Sequence, residues 1–463
     1  MTLFVRILAC GLSACFLGAV WAQTPVPPEV AARSYILVDV SAAQVLAEQQ
    51  ADEAVEPASL TKLMTAYVVF DALRAKKITL QQTLAVSVRA WKMPGSRMFI
   101  DPKMSVPIED LLKGMIVQSG NDATVALAEG VGGTVERFVE MMNQQAKALG
   151  MTRTSYKNPE GLTEPGHTTT ARDLAILAQR LMQDFPDRVG YYAIKKYRYP
   201  GTPAANDTNR NLLLFRDPTV DGLKTGYTQA AGYCMVATAQ REVPGIKSRR
   251  LLSIVLGASS ENARAQESQK LLNWGYAAFD AIKLFDASQA VVQVPVWKGR
   301  SNQLALGRPE PLVVAVPSGQ GAKLRSEVAR PDPLVAPFAK GQAVAKLKIY
   351  VGEQLLAEKP LLALESVDES GVVGRAWDAM RLWIIGAGRK GKIIRVMIGR
   401  NHAINCRAFG IGIFGVFYCG NLSHHAILWK SVALLYRLIL TLLPAAPRHR
   451  HVPDKTDPVM NTL

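Results

Sequence analysis

Between residues 23 and 384 the chain holds one cysteine, Cys234, and one histidine, His167. Both scarcities exclude chemistry. A lone cysteine builds no disulfide framework, and with a single histidine it offers no zinc-ligand spacing. The other cysteines fall near the start (Cys10, Cys15) or near the end (Cys406, Cys419). Cys234 reads as a buried small hydrophobe. A Ser-His-Asp triad would have to use His167, and neither a G-x-S-x-G elbow nor an H-E-x-x-H pair is present. His167 therefore reads as a surface loop residue, and no metal or cofactor is expected. A basic stripe is missing too, despite a formal charge of +16. Residues 385–463 carry 11 Lys or Arg and 2 Asp or Glu, a net of +9, which leaves 16 − 9 = +7 for the rest. That remainder has no Lys/Arg-rich run with interleaved aromatics, so no nucleic-acid partner is expected.

Residues 1–22 read MTLFVRILACGLSACFLGAVWA. One early charge, an apolar core and Val20-Trp21-Ala22 as a small-residue cleavage site make a secretory signal peptide. Leu12-Ser13-Ala14-Cys15 also fits a lipoprotein cleavage box, although the apolar run continues past Cys15. After a Pro-containing linker, Ser34 to Ser41 reads as a strand, and a second follows around Val45-Leu46. Pro57 marks a helix start. Leu60, Leu63, Met64, Tyr67 and Val68 then recur at the spacing of one buried helix face. Helix-like runs follow at Ile108–Gln118, Asp122–Glu129, Val135–Ala148 and Ala171–Gln183. Cys234–Thr238 and Leu251–Leu256 read as strands, and Glu267–Ile282 as a helix. Strands at both ends with helices between predict one α/β domain over residues 31–284.

Residues 285–370 change texture. Short alternating apolar runs at Val291, Leu312 and Leu347, split by Gly and Pro, predict a small β-rich domain. Residues 371–384 hold an amphipathic stretch with Val373, Trp377, Met380 and Ile384 on one stripe and Arg375 and Asp378 facing away. Trp with Arg suits an interfacial membrane helix; packing back on the β domain is the other reading. Residues 385–463 hold five of the six histidines, without ligand spacing, and two apolar runs too broken to span a membrane. This basic tail is expected to be an atypical, non-native extension, without which the protein keeps full activity.

The chemistry concentrates in three short stretches. ASLTKLMT puts Ser59 and Lys62 three positions apart, on one face of a helix start. Serine needs a neighbouring base to act as a nucleophile, and a buried lysine beside another cation can be neutral enough to serve. The positive end of a helix dipole at Ser59 favours a developing oxyanion. QSGNDA carries Ser119, whose hydroxyl can relay a proton, and Asn121, whose amide can hold a substrate carbonyl. Asp122 reads as the N-cap of the next helix. VDGLKTGYT, a strand, carries Lys224 as the neighbouring cation, the Thr225 hydroxyl for a substrate carboxylate, and Gly226 for close approach of substrate to backbone. One S-x-x-K is weak. S-x-x-K, S-x-N and K-T-G in chain order, at residues 59, 119 and 224, form the set shared by β-lactamases and penicillin-binding proteins.

On these motifs the sequence resembles the low-molecular-mass penicillin-binding proteins, serine-type D-alanyl-D-alanine carboxypeptidases. GSRMF, NPEGL, ARDLA, NRNLLL and ESQKLLNWGY add to the likeness, which covers residues 34–384. The resemblance implies a transpeptidase-like α/β fold, an antiparallel sheet covered by helices, then a small all-β domain and an amphipathic anchor helix. It implies that Ser59 attacks the D-Ala-D-Ala bond of a peptidoglycan stem pentapeptide, with Lys62 as base. Ser119 and Lys224 would pass the proton to the leaving amine, and Asn121 would position the substrate. The backbone N–H groups of Ser59 and Tyr227 would form the oxyanion hole. Thr225, Gly226 and Arg264 would bind substrate, the arginine through its terminal carboxylate. β-Lactams would acylate Ser59. The enzyme would be exported and held at the periplasmic face of the inner membrane by residues 371–384.

Three rivals stand beside this reading. A class A β-lactamase would need a glutamate-held water, for which Glu160 is the one acidic choice. A D,D-endopeptidase would cut crosslinks. A non-catalytic wall-binding protein would carry a decayed site, against which the intact motifs argue.

Overall fold

The computed structural model describes residues 25–383. The expected signal peptide (1–22) and basic tail (385–463) lie outside the described residues. The chain divides into two units, Met1–Ala379 and Met380–Leu463, and everything that positions the site lies in the first.

In chain order the α/β part runs β1 (Ser34–Asp39), β2 (Gln44–Gln49), α1 (Lys62–Arg74), β3 (Thr83–Ala85), α2 (Val88–Trp91), β4 (Ser105–Pro107), α3 (Ile108–Val117), α4 (Asn121–Gly132), α5 (Val135–Leu149), α6 (Ala171–Asp184), α7 (Leu213–Arg216), β5 (Val220–Thr228), β6 (Gly232–Val243), β7 (Ile246–Ala258) and α8 (Glu261–Ala278). Five strands form one sheet in the order β2-β1-β7-β6-β5, every neighbour antiparallel. The N-terminal hairpin therefore completes a sheet whose other three strands come about 180 residues later in the chain, as the strand–helix–strand order of the sequence predicts.

The sheet is covered on both faces, which is why its strands read as continuous apolar runs rather than as half-polar alternation. Alternate residues go to opposite sides. Ile36, Val38, Cys234, Val236, Leu252 and Ile254 join the core with α1 and α6. Tyr35, Leu37, Met235, Ala237, Leu251 and Val255 join the core with α8. Cys234 is buried and free, the environment expected for it. Gly275 lets α8 lie close on the sheet, since a Cβ there would meet Leu37 Cδ2 at 2.8 Å and Leu251 Cδ1 at 2.9 Å.

Helix α8 differs from its expected span. It starts at Glu261, because Ser260 caps it by accepting from Ala263 N at 3.0 Å. It ends at Ala278, because Phe279 and Ala281 turn inward at the period of a strand and begin the next domain.

The C-terminal all-β domain holds β8 (Phe279–Phe285), β9 (Ala290–Trp297), β10 (Gln303–Gly307), β11 (Leu312–Pro317), β12 (Leu324–Ala329), β13 (Leu334–Val335), β14 (Ala343–Val351) and β15 (Gln354–Ala363). β8 pairs with β11, and the rest form a sheet in the order β12-β14-β15-β10-β9-β13, antiparallel except for the short β13. Its core, with Leu304, Leu306, Val314, Leu347, Ile349 and Leu361, is separate from the two above. Two tight contacts join the parts. Gln44 exchanges two hydrogen bonds with the Ala315 backbone. Arg249, buried, pairs with buried Asp39 at 2.9 Å and donates to Phe279 O at 2.6 Å.

Residues 372–383 are helical. Arg375 pairs with Glu369, and Asp378 accepts from Lys298 N at 2.7 Å. The polar side of this helix is therefore the side held by the β domain, while Val372, Val373 and Trp377 are exposed. No helix among the described residues is long and apolar enough to cross a membrane.

Candidate active site

Ser59 lies in a single 3-10 turn, Ala58–Thr61, that runs directly into α1. Ala58, just before it, has φ +48°, a backbone conformation that costs a residue with a Cβ. Two glycines make this turn fit. Gly226 of β5 lies so close that a Cβ there would be 3.2 Å from Ser59 N and 3.1 Å from the Ala58 Cβ. Gly161, at φ +90°, packs on the carbonyl of Ala58, where a Cβ would sit 1.8 Å from the oxygen.

That second contact yields a prediction. Gly161→Ala adds an impossible backbone contact and a left-handed strain, so it should destabilise the fold by about 2–4 kcal/mol. Gly133→Ala has a similar φ of +80° but nothing within 4 Å of its Cβ. Its cost should be near 1 kcal/mol by backbone strain alone. Equal urea midpoint shifts for the two variants would contradict the packing argument.

The three motifs converge from three elements. Lys62, 2% exposed, has its Nζ 3.0 Å from Ser59 Oγ, 2.8 Å from Asn121 Oδ1 and 2.6 Å from Glu160 O. Two of those partners only accept hydrogen bonds. A neutral amine has two N–H groups and one lone pair, so those two acceptors take the hydrogens and leave the lone pair facing the serine hydroxyl. Burial pushes the Lys62 pKa down to about 7, although the charges of Glu160 and Asp122 oppose the shift.

Ser119, at φ +60°, ends the turn between α3 and α4, and Lys224 Nζ on β5 donates to its Oγ at 3.0 Å and to Thr225 O at 2.9 Å. Burial and then the charges of Lys62, Arg264 and Arg210 hold the Lys224 pKa well below that of an ordinary lysine. Asn121 is the first residue of α4, and its Nδ2 donates to Pro94 O at 2.7 Å. One proton of that amide nitrogen remains for a substrate carbonyl. Ser59, Ser119, Thr225, Gly226, Tyr227 and Arg264 line one cleft of about 240 Å³. A larger crevice of about 400 Å³, beside β2 and the β domain, has no nucleophile next to a base.

Two of the following residues, Asp122 and His167, differ from the sequence-based expectation, and the structure adds surroundings for Arg264 and Glu160. Asp122 is not the N-cap of α4, a position taken by Gly120. Its buried carboxylate instead accepts from the backbone N–H groups of Met98, Phe99 and Ile100, and so holds the GSRMF segment over the site. Arg264, expected in the substrate site, lines the cleft and is buried, donating to Gly226 O at 3.1 Å and pairing with Glu261. Glu160 is buried beside Lys62, its Oε2 without a hydrogen-bond partner among the described residues, and burial raises its pKa against the pull of Lys62. His167 is 2% exposed, not a surface residue, because its Nδ1 is bonded to Lys157 N of its own loop and its Nε2 to Thr61 Oγ1 of the Ser59 turn beneath.

Arg210, Tyr233 and Ser96 also line the cleft and were not singled out from the sequence. Arg210 stands in NRNLLL, a stretch that carries no chemical pattern of its own. Tyr233 stacks on exposed Tyr227, with ring centroids 4.3 Å apart, and carries the Arg264 guanidinium 5.6 Å from its centroid. Arg210 and Arg264 give this end of the cleft a positive charge suited to a carboxylate.

Comparison with known proteins gives the same answer from two directions. The D-alanyl-D-alanine carboxypeptidase family profile matches residues 21–260, and the penicillin-binding protein 5 C-terminal domain profile matches residues 279–369. The chain is 41% identical over 386 residues to D-alanyl-D-alanine carboxypeptidase DacC of Escherichia coli, covering 81% of this chain and 94% of that protein. It is 36% identical over 365 residues to DacA of Haemophilus influenzae, covering 78% and 91%. The crystal structure of penicillin binding protein 5 from Haemophilus influenzae superposes with a TM-score of 0.70 at 35% identity, over 74% of this chain and 100% of that one.

Proposed function

The chain belongs to the D-alanyl-D-alanine carboxypeptidase family, and on that footing we propose that it removes the terminal D-alanine from peptidoglycan stem pentapeptides through an acyl-enzyme on Ser59. The observation that carries this reading is the Lys62 amine, with two acceptors on its hydrogens and its lone pair toward the Ser59 hydroxyl. Lys62 takes the proton as Ser59 Oγ attacks the penultimate carbonyl. The oxyanion forms against the N–H groups of Ser59 and Tyr227, a reading supported by the close approach of Gly226 to the Ser59 amide. The Ser119–Lys224 pair, whose atoms are 3.0 Å apart, passes that proton from Lys62 on to the leaving D-alanine amine as the C–N bond breaks, which leaves Lys62 neutral again to deprotonate the hydrolytic water. Water then hydrolyses the ester.

Substrate recognition follows the charge of the cleft. The Thr225 hydroxyl, Arg264 and Arg210 receive the free terminal carboxylate, and the remaining Asn121 amide proton receives the stem peptide. β-Lactams present a reactive amide beside a carboxylate and acylate the same serine. Release of D-alanine from a D-Ala-D-Ala pentapeptide by the wild type, and not by Ser59→Ala, tests the assignment.

Export through residues 1–22 would deliver the enzyme to the periplasm. We further propose that residues 371–384 hold it on the inner-membrane surface. A helix bound to the β domain by Arg375 and Asp378 turns Val373 and Trp377 outward, where they can enter a lipid interface. Trp377→Glu should abolish cosedimentation with anionic vesicles while D-alanine release in solution stays unchanged; retained cosedimentation would remove this helix as the contact.

A further inference from the structure

We propose that His167 is a positioning residue for the nucleophile, acting through Thr61 on the carbonyl of Ala58. The catalytic steps above make no use of this ring, yet it is the one buried histidine among the described residues and it is bonded at both nitrogens. Lys157 N donates to His167 Nδ1 at 3.1 Å. Nδ1 is therefore the acceptor, and the hydrogen of the neutral ring sits on Nε2. Nε2 lies 2.8 Å from Thr61 Oγ1, and Thr61 Oγ1 donates to Ala58 O at 2.8 Å. The chain of bonds has one direction, from the Lys157 amide through imidazole and hydroxyl to the Ala58 carbonyl.

That carbonyl is the right handle. Ala58 holds φ +48°, and its peptide plane sets where Ser59 N points. A strained turn of this kind persists only when its surroundings over-determine it. Gly161 packs on the carbonyl from one side, and Thr61 bonds it from within the turn. His167 removes the rotational freedom of the threonine hydroxyl, which could otherwise turn away.

The arrangement accepts only a neutral ring. A proton on Nδ1 would face the Lys157 N–H, donor against donor. The carboxylates of Glu164 and Glu56 favour a charged ring, the Lys157 ammonium opposes it, and the Tyr156 ring packs edge-on with centroids 5.8 Å apart. Burial outweighs the carboxylates and pushes the His167 pKa down to about 4. The unfolded chain binds this proton below about pH 6.5 and the folded one only below about 4, so stability falls as pH drops through that window.

The test compares the full-length wild type with His167→Gln, which keeps one donor and one acceptor but does not titrate, and with His167→Ala. The readouts are the acylation rate with a fluorescent penicillin as a function of pH, and the ring ¹⁵N shifts, assigned by difference against His167→Gln. His167→Ala should acylate about 10–100-fold more slowly, as misplaced reacting groups do, and His167→Gln should recover most of that loss. Below about pH 5 the wild-type rate should fall more steeply than one protonation allows, and His167→Gln should lose the extra steepness. The wild-type ring should be neutral with its hydrogen on Nε2 at about pH 6, where an exposed histidine is largely charged. The proposal is overturned if both variants acylate at the wild-type rate, if they are equally slow with an unchanged pH profile, or if the ring titrates as an exposed histidine does. Should His167→Ala fail to fold, the glutamine variant and the ring spectrum decide alone.

Discussion

Lys62→Met should acylate with a fluorescent penicillin about 10²–10⁴-fold more slowly than the wild type, the range that a positioned general base supplies. The argument rests on burial and bonding together. A lysine 2% exposed is driven toward its neutral form, and its two acceptors, Asn121 Oδ1 and Glu160 O, leave only the lone pair for Ser59 Oγ. Methionine fills nearly the same volume without a basic amine, so the fold should survive while the base is lost. The pH dependence separates this from a packing defect. With the Lys62 pKa lowered to about 7, the base is active only when unprotonated, so wild-type acylation should rise with pH through about 7 and be lost as pH falls below it. The residual rate of Lys62→Met should lack that limb. A variant that keeps the limb, or loses less than about tenfold in rate, would make another group the base.

What was legible in the sequence was chemistry at short range. Ser59 and Lys62 are three residues apart, and local helix geometry alone nearly sets their distance. Ser119, Asn121 and Lys224 were found because their residue types belong together chemically, although 105 residues separate Ser119 from the lysine that bonds it. The strands β6 and β7 announced themselves by buried apolar runs. The unread parts were set by tertiary contacts. Asp122 has a sequence position fit for a cap, but the GSRMF backbone lies within reach and claims its carboxylate. His167 sits among polar and glycine residues that read as surface, and it is buried because the loop from Lys157 folds back onto the Ser59 turn. Arg210 reaches the cleft from a segment with no periodicity or motif. Arg375 and Asp378 of helix 372–383 lie away from Val373 and Trp377, as the spacing indicates, but that the β domain binds their side was not legible.

The most direct measurement is the intact mass of the wild type and of Ser59→Ala after exposure to benzylpenicillin, with D-alanine release from a D-Ala-D-Ala pentapeptide followed in parallel. Among the described residues the serine is the one hydroxyl bonded to the Lys62 amine, so its loss should remove all covalent chemistry. The wild type should gain the mass of one ring-opened penicillin, mapped to the peptide containing Ser59, and should release D-alanine. Ser59→Ala should do neither while remaining folded. An adduct on Ser59→Ala, or a wild type that turns penicillin over rapidly and leaves the pentapeptide intact, would contradict the assignment.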